Sequence, residues 1–192
     1  MTHHVRPTSI ALSTVLLLAG CVDLGPRDST PIRFFSADPP RAVDGSEGTA
    51  NVVVASVRGA EHLAERVVWR GAGPELGFHE DLRWSEPPAV SLERRLLRAF
   101  PGVRAEPSAF RLEATLEALE EVRVGSHEGR AVVSVALRRG TGTLVLRRTC
   151  EGLAPIAADD GRSVAQGLVD ALDRATEAAA SAVREEVDRA GG

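Results

Sequence analysis

The chain's titratable and nucleophilic groups include five histidines and two cysteines. His3 and His4 fall in the N-terminal stretch. No pair among His62, His79 and His127 has the spacing of metal ligands on one element. His79-Glu80-Asp81 places three ligand types side by side, but neighbouring residues on a strand point to opposite faces, so the three would not converge. They read as a solvated strand or loop edge. Cys150, in Thr149-Cys150-Glu151, sits in no cysteine-enzyme pattern and reads as a small strand residue near a sheet edge. Gly140-Thr141-Gly142 lacks the following helix and the lysine that a phosphate cradle requires. Glu113, Glu117, Glu120 and Glu121 could supply paired carboxylates for acid–base work, yet their spacing suits a wet sheet face. Ser13 and Ser29 stand in no nucleophile elbow. The expectation is a non-enzymatic chain with no catalytic residue, no metal and no cofactor.

Cys21 is the exception. An apolar stretch from Ile10 to Leu18 follows a start that carries one cation, Arg6. Nine residues rise only about 14 Å as a helix, too little to span a bilayer, and the pattern suits an export signal. It ends in Leu18-Ala19-Gly20-Cys21, which resembles the bacterial lipobox. A plain secretory signal with a chance cysteine is the alternative. The resemblance implies a signal over residues 1–20, lipidation of Cys21 and a mature chain that starts there. Two or three acyl chains, at about 0.8 kcal/mol per buried methylene, make such an anchor stable. Cys150 then has no intramolecular disulfide partner. By resemblance to Gram-negative lipoproteins, Val22 in place of Asp after the lipidated residue implies outer-membrane delivery, facing the periplasm.

Composition bounds the rest. The 192 residues are 43% hydrophobic and 26% charged, an ordinary globular balance. Net charge is −4, and all 23 basic residues are arginine, scattered along the chain rather than clustered, which argues against a nucleic-acid partner.

The elements that must position any site follow from periodicity. Residues 21–30 are mostly polar or turn-forming and suit a tether. Ile32–Ser36 is a short strand, and Ser36–Thr49, with Pro39, Pro40, Gly45 and Gly48, is a loop. Asn51–Val57 is a β-branched run of the kind buried on both faces. Gly59–Arg66 suits a helical turn, Val67–Trp69 a strand and Glu75–Arg83 another. After Pro87-Pro88, the residues Ala89, Leu92, Leu96 and Phe100 form one helical stripe, with Arg94, Arg95 and Arg98 towards water. Phe110–Ala118 alternates as a strand, although Leu112, Leu116 and Leu119 also fit a helical face. Ala131–Arg138 and Thr143–Arg148 complete a meander. Ser163 to Gln166 has the pattern of a capping box, opening a long alanine-rich helix. The fold class read from these elements is α/β, one domain over residues 31–192. It has a mixed, largely antiparallel sheet of about five strands with two main helices packed on it.

Trp69 and Trp84 are the chain's two tryptophans, and there is no tyrosine. Trp84-Ser85-Glu86-Pro87 closes a strand and opens a helix, so Trp84 suits a packing corner or a partner contact. The order of these residues resembles the ABC-type transport auxiliary lipoproteins, the family that includes the lipoprotein of the paraquat-inducible transport system. The matching features are the lipobox, Phe34-Phe35 closing the first strand, and His62-Leu63 where the family has Tyr-Leu. Val67-Val68-Trp69-Arg70 and Trp84-Ser85-Glu86-Pro87 follow, the latter where the family has Trp-Ala-Glu-Pro. The meander and the alanine-rich last helix come at the matching places.

The resemblance implies a non-enzymatic, lipid-anchored partner of a transporter with an MCE (mammalian-cell-entry) substrate-binding protein, an ABC permease and an ATPase. Such a system moves lipids or other apolar molecules across the cell envelope. Trp69, Trp84, Arg94 and Arg98 are the expected docking residues, and a homo-oligomeric ring is one arrangement of the docked state. A second class of reading is a lipoprotein that assists assembly of an outer-membrane barrel or lipopolysaccharide export.

Overall fold

The computed structural model describes residues 30–38, 51–101, 109–140 and 142–191. The readings at residues 1–20, at Cys21 and over most of the tether and the 39–49 loop lie outside them. Chain contacts separate Met1–Thr30 from a unit spanning Pro31–Gly192, and the description concerns the second.

Nine elements follow in order: β1 (Arg33–Phe35), β2 (Val52–Gly59), β3 (Arg66–Arg70), β4 (Leu76–Trp84), α1 (Pro88–Ala99), β5 (Phe110–Val122), β6 (Glu128–Arg139), β7 (Thr143–Pro155) and α2 (Gly161–Gly191). The class is α/β, as expected, with two helices and a mixed sheet, but among the described residues the sheet has seven strands. The path runs β1-β4-β3-β5-β6-β7, and β2 joins at β5. The balance also differs from a largely antiparallel sheet. β1 with β4, β2 with β5 and β3 with β5 are parallel, against three antiparallel pairings. Parallel pairs join segments distant in sequence, so no local turn announces them.

β5 organises the sheet. Its first half, Phe110–Leu116, pairs with β2, and Glu120–Val122 pairs with β3 on the same side. β2 and β3 thus lie end to end along one long strand. Where β2 stops, the Ala60 amide still donates to the Leu116 carbonyl at 2.9 Å. Within Gly59–Arg66, the end residues belong to β2 and β3, and residues 60–65 form a turn rather than a helical segment.

The alternation of β5 is broken once. Glu117 is a bulge, skipped between the Leu116–Val133 and Ala118–Val132 pairs. Before it, Phe110, Leu112, Ala114 and Leu116 face the helices. After it the phase shifts by one, so Leu119 and Glu121 take that face and Glu120 the other. Both helices cover one face, and Leu112, Leu116, Val133 and Leu137 meet Leu92 and Leu96 of α1 and Leu168, Leu172 and Val183 of α2 in one core. Each such leucine contributes about 2 kcal/mol.

α2 approaches the sheet closely because the strands beneath it offer glycine. A Cβ at Gly129 would lie 2.5 Å from the Gly167 carbonyl oxygen, and one at Gly152 2.2 Å from that of Ala171. Alanines 171, 175 and 179 are fully buried on the facing side. The helix starts two residues before the expected serine, and its cap is Asp160. The Asp160 Oδ1 accepts from the Arg162 and Ser163 amides at 2.9 and 3.1 Å, and Oδ2 accepts from the Ser163 hydroxyl. Ser163 is therefore the third helical residue and donates to the cap instead of serving as one.

Arg95 is a further correction. It does not face water but is buried, donating to Asp173 at 2.7 Å and to the Ala37 carbonyl at 2.8 Å. It thereby ties α1 to α2 and to the residues after β1.

Candidate functional site

The four expected docking residues occupy three settings. Trp84 is 2% exposed and sits in the core beside the start of α1. That is the packing corner, and its ring has no face to offer a partner. Arg94 and Arg98 stand on the exposed side of α1. Arg94 grips the Glu86 carboxylate with both terminal nitrogens, and Arg98 donates to Asp38 at 2.9 Å. Their ion pairs fix the guanidinium planes while leaving them partly open to solvent, although exposed pairs of this kind add little to stability. Trp69 is half-buried on β3, its ring lying across Gly77, where a Cβ would meet it at 2.2 Å. The Arg123 guanidinium covers the ring, 4.8 Å from its centroid.

Trp69 shares a sheet row with Glu121, and this row carries a cluster that sequence spacing did not reveal. Glu121 is 1% exposed. Its Oε2 receives His79 at 2.8 Å and Arg123 at 2.8 Å, and its Oε1 receives His127 at 2.7 Å. His79 and Arg123 also approach each other at 3.2 Å. Burial pushes the carboxyl up, but the hydrogen bonds from His79, His127 and Arg123 outweigh it and hold the group down at about 2. The acidic stretch is therefore not a wet face at this end. Asp81 is outside this cluster and bonds Arg33 at 2.7 Å. Asp159 completes a trio with Glu121 and His127 whose ligand atoms lie within 4.8 Å of one another. A cation there would compete with Arg123 for the same carboxylate, so the trio is better matched to its present hydrogen bonds than to a metal.

Glu120, one residue earlier, points to the opposite face and is also fully buried. Arg70 holds it with two bonds of 2.6 and 2.8 Å, and Arg130 adds a third at 2.9 Å before reaching Glu151 at 2.5 Å. Burial again raises the carboxyl, and the arginines bring it below the ordinary range. Consecutive carboxylates thus anchor both faces of one strand. The missed signal was the Glu117 bulge, without which 120 and 121 could not be assigned to faces. Cys150 lies on β7, buried, and burial pushes its thiol up, away from nucleophilic use.

The sequence matches no family model and no curated protein. Among solved structures, the fold is similar to protein XCC0632 from Xanthomonas campestris, a DUF330 family protein. That match has a TM-score of 0.69 and 17% identity, covering 83% of this chain and 98% of the other. An uncharacterized protein matches with a TM-score of 0.60 and 12% identity, covering 80% of this chain and 99% of that one. At these identities the likeness is one of fold. Among the described residues no helix is long and apolar enough to cross a membrane.

Proposed function

We propose that the chain is a lipid-anchored, non-enzymatic auxiliary subunit of an ABC transport system with an MCE protein, tethered through Cys21 at the cell envelope. The observation that carries this reading is Leu18-Ala19-Gly20-Cys21 at the end of an apolar export-type stretch. The order of the Trp69 and Trp84 motifs behind it and a fold similar to that of XCC0632 support it. Titratable groups that could act on a substrate are engaged in structural bonds at Glu120 and Glu121. In this reading Trp69, Arg94 and Arg98 carry docking, and outer-membrane placement follows from Val22.

Pull-down of the full chain from membranes tests the proposal. Recovery of an MCE protein together with a permease is expected. Trp69→Ala should lower that recovery without unfolding the domain. Recovery of an outer-membrane barrel instead, or turnover of a lipid by the purified protein, would overturn the assignment.

A further inference from the structure

β7 ends the sheet on one side. It pairs with β6 over its whole length of 13 residues and has no strand on its other edge among the described residues. A long free edge is a template for another strand unless charge, proline or brevity blunts it. The opposite side is broken into β1 and β2, of three and eight residues. β7 is not short, although it carries charge at Arg147, Arg148 and Glu151, a bulge at Val145 and a closing proline, Pro155. On the face away from the helices it presents Leu144, Arg147, Thr149, Glu151 and Leu153, all exposed.

The order of these side chains is self-complementary. A second β7 laid antiparallel, with Thr149 opposite Thr149, puts Arg147 against Glu151 of the other copy, twice by symmetry. Among the described residues Arg147 has no carboxylate partner of its own. β7 also carries a bulge at Val145, skipped between the Leu137–Leu146 and Arg138–Leu144 pairs. Beyond it the register moves by one, so Leu144 comes opposite Leu153. Both are exposed, at 42% and 40%. Arg174 donates to the Leu153 carbonyl and would close each end of the ladder.

The helices allow this approach. α2 lies over the β6–β7 pair, packing on Gly129 and Gly152. Its two-fold copy would stand two strand spacings away, about 10 Å, which is ordinary helix packing. The groove between β7 and α2, about 480 Å³, is lined on the helix side by the small residues Ala178, Ser181 and Ala182 and then by Glu185, Glu186 and Arg189, so close helix approach is confined to the small-residue stretch.

We propose that β7 is an isologous interface. Two copies of this chain join edge to edge about a two-fold axis at Thr149, making one continuous sheet with both α2 helices on the same face. The inference does not depend on the transport reading.

The test is cross-linking of the full chain in intact cells with bismaleimidoethane, in a Cys150→Ser background. T149C should give a homodimer band that the parent lacks and that R111C, placed in mid-sheet, does not give. In the T149C background, R147E should lower the band about tenfold, since it sets Glu against Glu twice. The charge-swapped R147E/E151R pair should restore it, which also shows that the loss was not misfolding. Absence of a T149C dimer, a band indifferent to R147E, or capture of a different protein at residue 149 would overturn the proposal.

Discussion

Glu121 shows what one buried carboxylate does here. Its folded value of about 2 lies below the ordinary 4.5, so its contribution to stability is present above pH 4.5 and is lost as pH falls towards 2. The shift corresponds to roughly 3 kcal/mol. Glu121→Gln should remove most of that acid dependence and lower stability near neutrality by about 2–3 kcal/mol, readable as urea midpoints across a pH series. The tryptophans separate in the same assay. Trp84→Ala should cost about 3–5 kcal/mol as a core cavity, and half-buried Trp69→Ala markedly less. None of this hub could be read from spacing. His79 lies 42 residues from Glu121 and reaches it only through the β3–β4 and β3–β5 pairings, while His127 is brought back by the β5–β6 hairpin, whose connection it occupies. Arg95 was equally hidden, since a long side chain beside a hydrophobic stripe reads as solvated until its Asp173 partner is seen.

At the scale of elements, legibility followed how local the determinant was. The alternation of Leu112, Ala114 and Leu116 marked β5, and the stripe of Leu92, Leu96 and Phe100 marked α1. Both depend only on near neighbours. Asp160 as cap was missed because Ser163 and Gln166 imitate a capping box three residues on. The strand beyond Ala118 was missed because the Glu117 bulge interrupts the alternation that would have extended it. The glycines of β6 and β7 have a sharper meaning than sequence alone assigns. Gly152→Ala would press a methyl into the α2 backbone, and a loss of about 1–3 kcal/mol is expected in thermal or urea unfolding. Gly73, at an exposed turn with a positive φ and nothing near its would-be Cβ, should respond through backbone conformation instead.

For the molecule as a whole, the placement of β5 has a temporal consequence. Protein chains are made from the N-terminus, so residues 33–100 are complete before β5 exists. At that point β3 and β4 can pair, and β1 can join β4, but β2 has no strand to pair with and β3 lacks its second neighbour. The apolar run Val52-Val53-Val54 therefore waits, unpaired, for a partner about sixty residues downstream. Once Phe110–Val122 emerges, it receives β2 and β3 on one side and, soon after, β6 on the other. The pairings of β2 and β3 with the fifth strand are the most distant in sequence in this sheet and so carry its largest loop-closure cost. Through this interval the early half of the chain holds apolar strand surface that has no partner yet, which is when it is most prone to aggregate.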